Sequence, residues 1–503
     1  MGHRHEPDAG FDGGDLDCGN GLLLLIRKHI DPLLPGQLLE ILSSEPTVTE
    51  ELPAWCRLTG NELVSTEARR ERTSYLVSKG PFVRQTASAA RPDKVPAPMP
   101  SATVEVVIPS QLPVPVAAPA IAPMAVMGVG SWPRPRWLLS ALHEHLEGRM
   151  SDAEFAEVAD DAVRLAVEAQ LRAGVDLVTD GEQRRDNYSS FVGGLLDNCQ
   201  LVPVTDLLPY VDDPEEFERE LRALDVPAGK VRHPAVFGPL GRSRPLAVHE
   251  VEFARALCDR PAKASLPGPY LLTRTMWMEC ISDRAYDNRE DLARDVVRVL
   301  REELFALLAA GTALVQFDEP VLSEVAYGAA AGGGRTFMCG ALGEKGATGD
   351  ELAFAEELLA AVFEGAPRDR IALHVCRGNW SPDESVALTG DYRPLLGLLS
   401  RVPVGALVLE MCTPRAGDVE LLKALPDDRR VGVGVVNQKT PEVESVDEIE
   451  ARIRTAFDLF GAERLLLHPD CGFATFADNP ICTSAIAEAK LTNTVLARNR
   501  VAP

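Results

Sequence analysis

Apolar and polar positions along the chain follow one pattern from Met124 onward. Short runs rich in β-branched and apolar residues end in glycine or a polar group, and stretches of helical periodicity follow them. The runs are Met124–Ser131, Val175–Glu182, Tyr270–Trp277, Ala313–Asp318, Ile371–Cys376, Ala406–Glu410, Val431–Val436 and Arg464–Asp470. Amphipathic stretches lie between them, among them Asp152–Ala173, Arg289–Ala309, Glu351–Phe363 and Val446–Phe460. Alternating strand and helix implies parallel pairing, and eight such units close into a (β/α)8 TIM barrel, an α/β fold. The irregular stretch Val202–Pro267 is expected to be an insertion over one barrel face. An open doubly wound sheet lacks support: no strand leads into Gly-x-Gly-x-x-Gly, and no Gly-x-x-x-x-Gly-Lys-Ser/Thr occurs.

Ahead of the barrel the pattern differs. Leu22–Ile30 reads as a helix stopped near Pro32, Gln37–Leu42 as a strand, and Thr47–Leu58 as a helix ended by Gly60. Strands follow around Glu62–Ser65 and Ser74–Ser78, so residues 9–84 outline a small α+β two-layer sandwich of order β-α-β-α-β-β. Residues 85–123 are rich in Pro and Ala, which forbids a helix and predicts an extended, flexible linker with a short edge strand at Val104–Ile108. The barrel then occupies residues 124–503.

Composition narrows the function classes. With 75 acidic against 51 basic residues, net charge −24, the chain offers no bulk basic field for nucleic acid. No apolar run reaches the ~18 residues of a membrane helix, and Met1-Gly-His-Arg-His-Glu6 lacks signal-peptide features. Ten cysteines are too few for a disulfide scaffold. A soluble cytoplasmic protein with reduced thiols is expected.

Candidate chemistry gathers at the ends of the runs, where barrel enzymes place their sites. His374 and Cys376 stand two apart on one strand and face the same way. With Glu410 and Cys471 from two further strands they make a tetrahedral zinc set. Buried cysteines are also common small hydrophobes, and Cys412 and His468 compete as ligands, so spacing alone leaves the set open. Glu182, Asp318 and Glu324 are carboxylates suited to an ammonium group, or simply solvated loop acids. The Gly128-Val-Gly130-Ser131 turn could offer N–H groups to a carboxylate, or be a tight turn before Pro133.

Taken together, Gly128-Val-Gly-Ser-Trp-Pro-Arg-Pro135, Asp180-Gly-Glu182, Phe317-Asp-Glu-Pro320, His374-Val-Cys-Arg-Gly-Asn379, Glu410 and His468-Pro-Asp-Cys-Gly-Phe473 resemble the catalytic barrel of the cobalamin-independent methionine synthase family, over about Met124 to Val501. That barrel is shared with uroporphyrinogen decarboxylases. The resemblance implies Zn2+ held by His374, Cys376, Glu410 and Cys471. It implies homocysteine held by Val129, Gly130 and Ser131 at its carboxylate and by Glu182 and Asp318 at its amine, with Glu324 on the pterin or substrate side. Lys439 stands where long members carry a proton-handling His and is the catalytic candidate. Thr275 falls at the pterin-stacking Trp position, with Trp277 two residues on. The duplicated N-terminal barrel of long members is missing. The implied activity is a zinc-dependent methyltransferase acting on a thiol, a 5-methyltetrahydropteroyltriglutamate–homocysteine S-methyltransferase-like enzyme of methionine biosynthesis. Its donor would be 5-methyltetrahydrofolate or a corrinoid.

Residues 9–80 are similar to the TusA/SirA-like sulfur carriers, through Leu16-Asp-Cys18, the helix after it, Leu34-Pro-Gly-Gln-Leu-Leu39, Ala54–Leu63 and Tyr75-Leu-Val77. The carriers' Cys-Pro-x-Pro reads Cys18-Gly-Asn-Gly21 here. A thiol at a helix N-terminus has its thiolate stabilised, which suits persulfide formation. Two alternatives therefore stand beside the methyltransferase. One is a sulfur-incorporation or alkyl-transfer enzyme of specialised metabolism, fed by a Cys18 persulfide from a cysteine desulfurase or sulfur-relay protein. The other is a non-enzymatic zinc-stabilised binding module.

Overall fold

The computed structural model describes residues 3–69, 72–82, 104–146, 148–203, 232–277, 285–327, 347–379, 383–477 and 481–502. In the N-terminal unit, strands β1 (Ala9–Gly14), β2 (Leu38–Ser43), β3 (Glu62–Arg69) and β4 (Arg72–Ser78) form one sheet of order β1-β2-β4-β3. β1 is parallel to β2, and the other pairs are antiparallel. Helices Leu23–Ile30 and Val48–Thr59 bury Ile26, Ile30, Leu52 and Trp55 against Leu39, Ile41, Tyr75 and Val77 of the sheet. The sheet residues alternate along each strand, so their side chains share one face.

The stretch expected to be a free linker is partly a strap. Val104 is in no strand; its N–H and C=O instead pair with the Asn198 side-chain amide at 2.7 and 3.0 Å. Further on, Val116 donates to Leu308 O at 3.3 Å, Arg370 holds Val116 O at 2.6 Å, and Arg430 holds Ile121 O at 2.9 Å. Prolines keep this segment extended and leave carbonyls for arginines to take. Ile121 packs into the apolar base of the barrel with Met127, Leu177, Leu314, Ala372, Ala406 and Leu466.

The barrel strands are β5 (Ala125–Val126), β8 (Lys263–Pro267), β9 (Leu314–Asp318), β10 (Ile371–Val375), β11 (Ala406–Leu409), β12 (Arg430–Val436) and β13 (Leu465–Pro469). They pair in parallel in the order β5-β13-β12-β11-β10-β9-β8. Leu177 bridges Met127 and Val178 bridges Ala262, so this short segment joins the two outer strands at the eighth position. Helices pack outside. Asp152–Ala173 and Val446–Arg464 each begin with a Ser/Glu capping box, Ser151 with Glu154 and Ser445 with Glu448.

Two expectations are corrected. Tyr270–Trp277 is not a strand: Pro269–Met276 is a helix, and the third barrel strand is β8. Pro269 sits in its first turn, and the Glu319 carboxylate accepts from Tyr270 N at 2.8 Å and Leu271 N at 3.0 Å. The insertion is therefore narrower than Val202–Pro267, whose later part supplies the helix Val248–Leu257 and β8. What projects is an antiparallel hairpin of β6 (Asp197–Pro203) and β7 (Arg232–Gly241), with 204–231 outside the described residues. The N-terminal unit docks on this hairpin: Leu24 and Leu25 pack against Val202 and Ala235, flanked by Phe11, Leu16 and Phe237. Gln200 Nε2 donates to Arg27 O and Asp31 Oδ2 at 3.2 and 3.1 Å. Among the described residues no helix is long and apolar enough to cross a membrane.

Candidate functional site

The inward positions of β9, β10 and β13 lead up to a cleft of about 540 Å³. Val129–Ser131, Glu182, Tyr188, Asp318, His374, Cys376, Asn379, Cys471, Thr475 and Phe476 are among its walls. His374 lies on β10, Cys376 just beyond its end, and Cys471 just beyond β13. All three are buried, and their ligand atoms lie within 4.8 Å of one another. Cys471 Sγ is 3.5 Å from His374 Nε2. Ligands on a tetrahedral zinc stand about 3.5–3.8 Å apart, from Zn–N and Zn–S lengths of about 2.1 and 2.3 Å.

The imidazole is fixed for such a role. His374 Nδ1 donates to Val408 O at 2.9 Å, leaving the lone pair on Nε2. The hydrogen bond between Cys471 and Cys376 draws the Cys376 thiol well below its ordinary value and, with burial, pushes Cys471 up. The donor set and its spacing fit zinc.

Glu410 is held elsewhere. Its carboxylate accepts from Arg377 N at 2.8 Å and from Arg415 Nε at 2.9 Å, and it is outside the three-residue group. Cys412 and His468 are outside it too; Cys412 N caps Asp470 Oδ1 at 2.7 Å, and His468 Nδ1 bonds Pro469 O at 2.7 Å. Lys439 is buried, its amine pushed down to about 8 by burial although Glu410 opposes the shift; Arg415, Cys471 and Cys376 also lie within its field.

In the same cleft Glu182 has φ 53°, next to Gly181 at φ 74°. This left-handed pair folds its carboxyl over Gly130, where a Cβ would lie 2.2 Å from Glu182 Oε1. Glu182 Oε2 is buried and meets no donor among the described residues. Burial raises the carboxyl to about 7 despite Arg185, whose Nη1 is 3.8 Å from Oε1. Arg134 ties Glu182 O to Ala474 O at 2.7 and 3.0 Å. Asp318 accepts from Gln316 at 2.7 Å, and burial raises it as well.

The structure does not bring every candidate to this cleft. Glu324 is buried beside Arg274 at 4.0 Å, and Trp277 is half-buried at the end of its helix; neither lines the cleft. Cys18 also differs from expectation. It opens a wide turn, Cys18–Leu22, ahead of the helix, is buried, and has its thiol raised by burial and by Glu51. Unforeseen contributors are Tyr188, Thr475 and Phe476, and Lys263, which lies in the stretch expected to be an insertion. Gln438 donates to Asn379 at 2.6 Å, and Asn379 to Gly472 O at 2.7 Å, binding the loop after β10 to the Cys471 loop.

Comparison with known proteins gives a consistent family. Residues 225–495 match the model described as "Cobalamin-independent synthase, Catalytic domain", just over half of the chain. A protein named methionine synthase from Saccharolobus solfataricus is 24% identical over 345 residues, covering 68% of this chain and 86% of its own. Its namesake from Sulfurisphaera tokodaii is 26% identical, covering 68% and 84%. Among solved structures, a B12-independent methionine synthase from Shewanella sp. W3-18-1 shares the fold at TM-score 0.56 and 22% identity, over 76% of this chain and 98% of that one. A putative vitamin-B12 independent methionine synthase from Listeria monocytogenes does so at 0.53 and 20%, over 76% and 100%. The chain belongs to the cobalamin-independent synthase family through its catalytic domain.

Proposed function

We propose that the barrel transfers a methyl group to the thiol of homocysteine, giving methionine. The observation that carries this is the juxtaposition, in one cleft, of the buried His374–Cys376–Cys471 group with Glu182, Asp318 and the Val129–Ser131 turn. His374, Cys376 and Cys471 would hold zinc, which when bound supplies the positive charge that favours loss of a thiol proton at neutral pH. Glu182 and Asp318 bind the acceptor's ammonium group, with Glu182 Oε2 the open acceptor. The N–H groups of the Val129–Ser131 turn hold its carboxylate. Fixing both ends of the amino acid aims its sulfur across the cleft, and this orientation is where much of the rate gain arises. Lys439 Nζ is the group we assign to handling the acceptor's proton. For the donor we favour 5-methyltetrahydrofolate over a corrinoid, with the aromatic rings of Tyr188 and Phe476 at the cleft as support. We take the N-terminal unit, a mixed sheet with two helices like the sulfur carriers, as a docking module, because Cys18 is buried and held as a thiol.

The test is a donor panel of methyltetrahydrofolate mono- and polyglutamates and methylcobalamin, assayed with homocysteine on zinc-loaded protein. Methionine formed from a folate donor is expected. No methionine from any donor would sink the reading.

A further inference from the structure

Lys263 is a buried lysine that the proposed chemistry does not use. It opens β8 with its side chain inside the barrel, and Nζ donates to Gly128 O at 2.8 Å and Val129 O at 2.5 Å. Ser265 Oγ and Gln316 Nε2 reach the same Val129 oxygen, each at 3.1 Å. Three side chains from two neighbouring strands, β8 and β9, therefore converge on two consecutive peptide groups of the turn that lines the cleft. No carboxylate lies within 4.0 Å of Nζ among the described residues, so the amine is committed to these carbonyls.

A trans peptide points its C=O and the following N–H in opposite directions. Drawing the oxygens of Gly128 and Val129 down toward the barrel interior therefore turns the N–H groups of Val129 and Gly130 up toward the cleft. Neither N–H donates to an acceptor among the described residues. Such paired free amides form an anion cradle. It stands beside Glu182, whose carboxyl lies against Gly130, so an amino acid seated in the cleft meets a carboxylate binder and an ammonium binder side by side.

We propose that Lys263 is the positioning residue of this cradle, and that by pinning the Gly128 and Val129 carbonyls it sets selectivity for thiols bearing an α-carboxylate. This rests on the homocysteine reading above. A lysine that merely filled the barrel would affect all acceptors alike, and that difference is measurable.

The experiment compares homocysteine with 3-mercaptopropylamine, the same thiol without its carboxylate, by calorimetric binding to zinc-loaded wild type and Lys263→Met. Wild type is expected to prefer homocysteine at least 30-fold. Lys263→Met should lower that preference at least 10-fold, chiefly by weakening homocysteine, with zinc content unchanged. An unchanged preference overturns the proposal, as does an equal loss for both thiols. If Lys263→Met does not fold, Lys263→Gln, which keeps a donor but is too short to span both carbonyls, is read the same way, with a loss of at least 5-fold expected. Wild type that does not bind homocysteine would overturn the acceptor reading, whereas binding without a carboxylate preference would overturn only the role given to the cradle.

Discussion

Glu182 holds a left-handed backbone that an L-residue adopts at roughly 1–2 kcal/mol, and its carboxyl is raised to about 7. Below that value it carries a proton and attracts an ammonium group weakly; above it the full charge is present. Apparent affinity for homocysteine should therefore climb as pH rises from 6 to 8, measured as acceptor KM. Glu182→Gln should flatten the climb and raise KM about tenfold or more, with zinc content unaffected. The metal group makes the complementary case. Cys471→Ala should remove zinc and activity together, and full zinc occupancy of that variant by metal analysis would overturn the ligand assignment. Arg415 bears on the fourth candidate: its guanidinium lies on the Glu410 carboxylate at 2.8 Å, so only His374, Cys376 and Cys471 form a group that could hold a metal among the described residues.

At the scale of elements, one helix shows how the site is braced. Pro269–Met276 starts against the Glu319 carboxylate, and Glu319 N in turn donates to His374 O at 2.9 Å. Glu319→Ala should lower stability by about 2 kcal/mol, the range of a lost N-cap with buried partners, read from urea unfolding. Gly268 is obliged to be glycine here, since a Cβ would lie 2.1 Å from Glu319 Oε1. This helix also marks where the sequence misleads. Tyr270-Leu-Leu272 is apolar because it is buried on all sides, and a short buried helix and a buried strand share that pattern. β8, in contrast, carries Lys263 and Ser265 inward, so its polar alternation reads as surface. The runs ending in Asp318, Cys376, Glu410 and Asp470 were legible because each is a short, mostly apolar stretch closing on a polar residue, with Gln316, His374 and His468 as single polar positions inside them. The cradle beneath the cleft was not, since it depends on which carbonyls face which donors. Nor was the Arg415 hold on Glu410, a contact between loop side chains that strand spacing does not encode.

Across the whole molecule, the N-terminal unit is attached to the barrel by a small apolar contact around Leu24, Leu25, Val202 and Ala235. Burying a leucine contributes about 2 kcal/mol, so Leu25→Asp should undock the unit. Amide hydrogen exchange in β6 and β7 should then rise at least tenfold, while exchange in β10–β13 stays as in wild type. Unchanged exchange in the hairpin would show that the contact does not hold it.

The proline-rich strap has a consequence for where the barrel ends. Ile121 is a cork in the floor of the cylinder, and it is threaded in by chain that precedes the first stave. Cutting the gene at Met124 would pull that cork, letting water reach Leu314, Ala372 and Leu466, whereas a fragment begun at Val104 keeps it. The shorter fragment should melt several degrees below the longer one, which makes this apparent spacer a working part of the catalytic body.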